Sequence, residues 1–422
     1  MPSGASISRI PVIDIFAGPG GLGEGFAAPL SNGRRSPFKI GLSIEMDPFA
    51  RRTLLLRSFY RQFDVDTVPD EYYKYLQKGT AWEDTTLRTV FARFPVQVQT
   101  AENEAWQATL GDVPENEVDR KIRGVVGSNR AKRPWVLIGG PPCQAYSLIG
   151  RVRSFAEHGD KFYEDRKHTL YKEYLRILAV HKPTVFVMEN VKGLLSSRLR
   201  GGELVLEQIL RDLEAPSKRV RYDLFSVTVG SEGDLLSAWS EVKNPRAFIV
   251  KCENYGIPQA RHRLIVLGIR RGGPIDLTKL EPLCPANGLV NSKQVLKGLP
   301  PLRSGLSRRA DSESEWLKCL KSAVRQDWFL DLEQSEQKEI SNIIRTVIES
   351  LKSPLAGRGA QFVPFRVTSG YKKDWYLDHR LSGACNHETR GHMAQDLYRY
   401  LFASAFAQAH NISPRLQDLP TQ

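Results

Sequence analysis

No stretch of this chain approaches the run of about eighteen apolar residues that a membrane-crossing helix needs. The N-terminus, Met1 to Arg9, also lacks the apolar core of a secretory leader, so the reading is a soluble cytoplasmic protein with no membrane partner. Cysteine is scarce: Cys143, Cys252, Cys284, Cys319 and Cys385 are odd in number and form no CxxC pair. That usage excludes a disulfide scaffold and fits a reducing compartment. Cys385, His387 and His392 fall in a C-x-H-x4-H string, but without a supporting CxxC the ligand set is short for zinc, and no metal is expected. Internal repeats and low-complexity tracts are absent. Acidic residues are in deficit, 47 Asp and Glu against 60 Lys and Arg, for a net charge of +13 and a pI near 9.5. Such a balance favours a polyanionic partner such as nucleic acid, although the basic residues are spread along the chain and form no tail.

What is present reads as α/β. Short apolar, β-branched runs at Pro11–Phe16, Lys39–Ile44, Trp135–Ile138, Thr184–Met188, Tyr222–Val229 and Arg263–Ile269 alternate with helical stretches, the cadence of a mostly parallel sheet wrapped by helices. The 422 residues exceed one typical domain. We expect a sheet-bearing domain over residues 1–270, with an insertion at about 51–110, followed by a helical region over 271–422. In that second region Ile340, Ile343, Ile344, Val347 and Leu351 recur at helical spacing, and a helix from His392 to Ala409 would place Met393, Leu397, Tyr400, Leu401 and Ala405 on one buried face.

Three constellations carry chemistry. The first is the strand-turn-helix Asp14-Ile15-Phe16-Ala17-Gly18-Pro19-Gly20-Gly21-Leu22-Gly23, in which glycine lets backbone approach a ligand at the carboxyl end of a strand. Glu45 closes the second strand, where a carboxylate can accept from both ribose hydroxyls of an adenosine cofactor. The spacing of Gly18, Gly20 and Gly23 also satisfies G-x-G-x-x-G, so a nicotinamide dinucleotide stays open at this point. The second is Gly139-Gly140-Pro141-Pro142-Cys143-Gln144, a thiol on a proline-stiffened loop at another strand end. The third is the carboxylate of Glu189-Asn190-Val191 together with Arg261 and Arg263, which alternation puts on one face.

In this order and on these strand ends, D-I-F-A-G-P-G-G-L, G-P-P-C-Q, E-N-V and Q-A-R-H-R resemble the DNA cytosine-5 methyltransferase family. The resemblance implies a Rossmann-like methyltransferase fold, S-adenosyl-L-methionine as cofactor and double-stranded DNA as substrate, in a bacterial, nucleoid-associated setting. It implies that Phe16 and the turn Gly18, Gly20, Gly21, Leu22 and Gly23 hold the cofactor, that Glu45 takes its ribose and Asp112 its adenine amino group, and that Asp14, Met46, Pro142 and Leu170 complete the contacts. Cys143 would add to C6 of a flipped cytosine, since C5 alone is too weak a nucleophile to take a sulfonium methyl group. Glu189 would relieve the ring charge at N3 and Arg263 at O2, with Arg261 or Arg263 favouring the thiolate.

The resemblance is incomplete. The family's closing segment, G-N-A-V/I-P, has no counterpart here, and Arg366-Val367-Thr368 is one residue short of R-x-x-T. The expectation is a truncated chain, or one subunit of a split enzyme whose partner polypeptide supplies target recognition and the closing motifs. Two other functions stay open: a cytosine-5 methyltransferase acting on tRNA, and a non-catalytic cofactor- or DNA-binding subunit.

Overall fold

The computed structural model describes residues 9–30, 35–79, 85–127, 133–142, 161–198, 204–228, 245–308, 310–354, 356–366 and 370–420, with backbone alone at 86 and 161–169. The chain divides into two compact units, residues 1–68 with 89–295, and residues 69–88 with 296–422.

The first unit carries β1 (Ile10–Ile15), α1 (Gly21–Ala27), β2 (Phe38–Glu45) and α2 (Pro48–Tyr60). The second unit then takes α3 (Asp70–Lys78), and α4 (Thr85–Arg93) leads back to α5 (Pro95–Glu104), β3 (Ala105–Gln107) and α6 (Glu115–Val126). There follow β4 (Val136–Gly139), α7 (Lys161–His181), β5 (Val185–Val191), α8 (Val205–Glu214), β6 (Tyr222–Phe225), β7 (Ile249–Lys251) and β8 (His262–Arg270). These strands form one eight-stranded sheet in the order β3-β2-β1-β4-β5-β8-β6, with β7 also pairing β8. β3, β2, β1, β4 and β5 run parallel, whereas β8 is antiparallel to β5, β6 and β7. Parallel strands are covered on both faces, which explains their apolar runs: Val12, Ile13, Ile15, Leu137, Ile138, Phe186 and Met188 are all buried. β1 leads outward to β2 on one side and lies against β4 on the other, so the winding reverses between them. Such a reversal opens a crevice at the carboxyl ends of β1 and β4.

Two glycines make the sheet possible. Ile15 pairs with Gly139, where a Cβ would run into the Ile15 carbonyl; Phe186 pairs with Gly268, where a Cβ would run into the Phe186 ring.

The second unit contains β9 (Gly305–Leu306), α9 (Glu313–Lys321), α10 (Asp327–Gln334), α11 (Lys338–Ser350), β10 (Gly359–Pro364), β11 (Gly383–Glu388), β12 (Gly391–His392) and α12 (Ala394–His410). Its core gathers Trp328, Phe329, Ile340, Ile344, Phe402 and Phe406.

The expected boundaries differ in two respects. The first unit runs to Val295 instead of 270, and the insertion expected at 51–110 is divided between the units. α2, α5 and β3 belong with the sheet. α3 belongs with the second unit, because its buried tyrosines find partners there: the Tyr73 hydroxyl donates to Asp378 at 3.0 Å, Gln77 donates to the Leu381 carbonyl at 3.0 Å, and the Arg380 guanidinium lies 4.5 Å over the Tyr73 ring. The face expected on the last helix is also corrected. Met393 and Tyr400 are 56% and 53% exposed, and the buried stripe is Leu397, Tyr398, Phe402, Ala405 and Phe406, with the Tyr398 hydroxyl 2.8 Å from Ser322 Oγ. The second unit also holds an antiparallel strand pair, β10 with β11. On it, Cys385 donates to the Leu76 carbonyl at 3.7 Å and His387 Nε2 lies 2.8 Å from the Pro300 carbonyl, while the His392 ring meets Tyr400 edge-on.

Overpacking at the β5–β8 pair is directly testable. Gly268→Ala should destabilise the sheet-bearing unit by about 1–3 kcal/mol in urea unfolding. Combining it with Phe186→Leu should cost less than the sum of the two single changes; strict additivity would show that the ring and the missing Cβ do not compete for one space.

Candidate active site

The glycine turn is built by backbone conformations that side chains resist. Phe16, Gly18 and Gly20 all have positive φ, at 57°, 55° and 96°. A phenylalanine in this region stores strain of the kind that collects at functional sites. The Ala17 amide donates to the Ile44 carbonyl at 3.1 Å, drawing the turn against β2. The Gly18 amide donates to Glu45 Oε2 at 2.7 Å, and the Asp47 amide donates to Glu45 Oε1 at 2.8 Å. Asp47 in turn caps α2 by accepting from the Ala50 amide at 2.7 Å, with Pro48 in the first helical position. Glu45 is thus fixed at both oxygens and half-buried, while a Cβ at Gly18 or Gly21 would meet nothing within 4 Å. An immobilised carboxylate with spare lone pairs, beside bare backbone facing open space, fits the ribose of an adenosine cofactor. Met46 and Phe49, 60% and 70% exposed, put apolar surface next to it.

Other expected cofactor residues are distributed unevenly. Leu22 packs against the small core on the α1 face of the sheet, and Gly23 is buried there. Asp14 is buried at 1% exposure beneath α1, where a Cβ on Gly23 would come within 3.2 Å of its Oδ2. Asp14 therefore supports the turn from below and does not line the crevice. Asp112 is exposed, in a turn that follows β3, whose Gln107 pairs with Glu45. Leu170 is half-buried on α7 and packs into the main core.

Across the switch point lies the second group. Cys143 falls outside the described residues, but the loop leading to it is described: Pro141 is buried and Pro142 exposed. Asn190 Nδ2 donates to the Pro141 carbonyl at 3.0 Å, and Asn190 Oδ1 accepts from the Val191 amide at 2.8 Å. This buried asparagine ties the proline loop to the end of β5, a role not assigned from sequence although E-N-V marked its place. Glu189 sits against Gly140, where a Cβ would lie 2.9 Å from Glu189 Oε2. Its Oε1 is 2.7 Å from Arg263 Nε, an ion contact whose angle does not make a hydrogen bond; Arg263 Nη1 donates to the His262 carbonyl at 2.8 Å. Arg261 is exposed just before β8, with its amide bonded to the Gln259 carbonyl at 2.7 Å. The structure therefore brings together Glu189, Arg263, Gly140 and the proline loop, with Arg261 outside this contact set.

A doubly wound sheet thus carries a glycine turn and a fixed carboxylate on one side of its switch point and a second polar cluster on the other, the place where α/β proteins of this winding bind ligands. The family model for C-5 cytosine-specific DNA methylase matches residues 106–354, more than half of the chain, and the chain belongs to that family. It is 28% identical over 303 residues to type II methyltransferase M.Bpa9945I of Bacillus paralicheniformis, an alignment covering 69% of this chain and 61% of the relative. Shorter alignments relate it to DNA (cytosine-5-)-methyltransferase M.ApeKI of Aeropyrum pernix, at 36% over 138 residues (32% of this chain, 27% of the relative), and to type II methyltransferase M.BspRI of Lysinibacillus sphaericus, at 32% over 151 residues (36% and 26%). The chain thus spans about three fifths of the first relative's length and about a quarter of the other two.

Asp14 makes the turn's foundation sensitive to pH. Burial pushes its carboxyl from the ordinary 3.8 up to about 8, the nearby Glu45 charge adding to the rise while the Gly23 amide and Arg61 oppose it. The folded state then keeps a proton that the unfolded chain releases above about pH 4. Stability from this group is full below that pH, declines as pH rises, and is lost once pH passes about 8. Wild type should therefore lose stability relative to Asp14→Asn between about pH 4 and 8, by no more than about 1.4 kcal/mol per pH unit, with a constant difference above. Parallel stability curves for the two proteins would contradict the raised value.

Proposed function

We propose that this chain transfers a methyl group from S-adenosyl-L-methionine to C5 of cytosine in double-stranded DNA, as the modification arm of a restriction-modification system. The observation that carries the reading is the pairing of two sites across one switch point. On one side the Gly18 amide grips Glu45; on the other, Glu189 and Arg263 meet beside the loop that leads into Cys143.

In this mechanism the Cys143 thiolate adds to C6 of a cytosine turned out of the duplex, forming an S–C6 bond and moving the electron pair to C5. Glu189, which must carry a proton for this step, donates a hydrogen bond at N3 and Arg263 pairs with O2, so the charge that develops on the ring is met at both positions. Bound S-adenosylmethionine supplies an electrophilic methyl group to the electron-rich C5. Loss of the C5 proton to a base then restores the ring and expels the thiolate. Asn190 holds the Pro141 carbonyl, tying the start of the proline loop to the end of β5. The exposed Met46 and Phe49 beside Glu45 support a further element, a pocket-closing segment that packs on this apolar surface, whether from the same protein or from a second polypeptide. Among the described residues no helix is long and apolar enough to cross a membrane.

The test is methyl transfer from tritiated S-adenosylmethionine to duplex DNA and to tRNA, with and without the product of the neighbouring reading frame. Incorporation into DNA is expected, lowered by on the order of a thousandfold or more by Cys143→Ser, with folding unchanged. Incorporation into tRNA alone would replace the substrate. Glu45→Ala should weaken cofactor binding more than the chemical step, whereas loss of Glu189 should do the reverse; the same pattern in both variants would refute the division of roles.

A further inference from the structure

Three segments form the cofactor side of the crevice: the glycine turn before α1, the Glu45–Asp47 loop before α2, and β3 after α5. Behind them, α2 touches all three. Leu54 of α2 lies where a Cβ on Gly20 would be, 2.8 Å from its Cδ2. Arg51 Nε donates to the Ala105 carbonyl at 3.0 Å, joining α2 to β3. Further along, Arg57 donates to Glu24 of α1 at 2.8 Å, and Arg61, the residue that caps the end of α2, bonds Glu24 with one nitrogen and Glu104 of α5 with the other, the latter at 2.5 Å. Arg61 and Glu104 are mostly buried, with 18% and 7% of their side chains exposed. Burial pushes the Glu104 carboxyl up and Arg61 opposes it; for Glu24, burial also raises the carboxyl, but the two guanidiniums outweigh it and hold it low.

We infer that Arg61 is a positioning residue for the cofactor pocket, fastening α1, α2 and α5 into one bracket that sets the glycine turn against Glu45. The inference rests on the cofactor reading above. Its physical basis is the shortness of the connections. Only Met46 and Asp47 separate Glu45 from α2, and the amide of Asp47 is one of the two that grip Glu45. A helix is stiff over this length, so a shift of α2 displaces that amide and the Leu54 contact under Gly20 together. Displacements of about 1 Å in a preorganised site are enough to matter a hundredfold. A surface ion pair would carry no such consequence, because its charges are screened and its side chains free.

Loss of Arg61 alone strands the buried Glu104, and Arg61→Met can fail simply by unfolding. The informative protein is therefore the 422-residue chain with Arg61→Met and Glu104→Met together, where an apolar pair replaces the ionic one and the fold is retained. Two readouts are made on it, hydrogen exchange at the Gly18 and Asp47 amides without cofactor, and the Kd for S-adenosylmethionine by calorimetry. Exchange at both amides should quicken about tenfold and the Kd should rise about tenfold or more, while kcat at saturating cofactor stays within about threefold. Arg61→Lys, which reaches one carboxylate instead of two, should fall between. A stable double variant with wild-type exchange and wild-type Kd would overturn the inference, and faster exchange with unchanged Kd would overturn its link to the cofactor. If the wild-type chain takes up no S-adenosylmethionine, the exchange result still decides the bracket, and it is the functional reading that fails.

Discussion

The Glu45 carboxylate accepts from the Gly18 amide on one oxygen and from the Asp47 amide on the other, and so joins the loop after β1 to the start of α2. Much of this side of the crevice depends on that junction. The positive φ values of Phe16, Gly18 and Gly20 are costly conformations that persist only where surrounding contacts over-determine them, and the bond to Glu45 is one of those contacts. The reach of the turn toward β2 is set by the parallel pairing of β1 with β2, and its floor by the buried Asp14 beneath α1. A protonated Asp14 fits this arrangement, since a second negative charge under the turn would oppose Glu45.

The opposite side of the crevice is organised by close approach. Gly139 lets β4 lie against Ile15 of β1, and Gly140 leaves room for the Glu189 carboxylate at the end of β5. Asn190 then uses its one buried amide to tie the proline loop to β5. The antiparallel β8 completes the arrangement, because its register opposite β5 puts Arg263 across from Val191 and brings its Nε to Glu189. Two glycines, a proline pair and one strand reversal thus determine where a carboxylate and a guanidinium meet.

The parts legible in the sequence are those in which a residue type reports a backbone constraint. Glycines at 18, 20, 139 and 140 each announce a local geometry, and the sheet strands announce burial by their β-branched runs. What could not be read is packing between residues far apart in the chain. α3 looks like an insertion on the sheet, yet its tyrosines and Gln77 find partners some 300 residues later, at Asp378 and Leu381. On α12, Tyr398 and Tyr400 are both candidates for the core, and periodicity alone does not choose between two overlapping stripes; the contact of Tyr398 with Ser322 does. Nor does spacing along the chain pair Arg57 and Arg61 with Glu24 and Glu104, which only the packing of α1 and α5 brings beside them. Cys143 stands apart, because its assignment rests on the G-P-P-C-Q segment and on the geometry of the loop that precedes it.

The covalent use of Cys143 is the central claim, and a mechanism-based substrate tests it most directly. Duplex DNA carrying 5-fluorocytosine at the target position cannot lose its C5 substituent after methyl transfer, so the S–C6 bond should persist. With the chain and S-adenosylmethionine, a denaturant-resistant protein–DNA adduct is expected, mapping by peptide mass to Cys143 and absent from Cys143→Ser. An adduct at Cys252 or another cysteine, or methylated DNA formed with no adduct at all, would contradict the account.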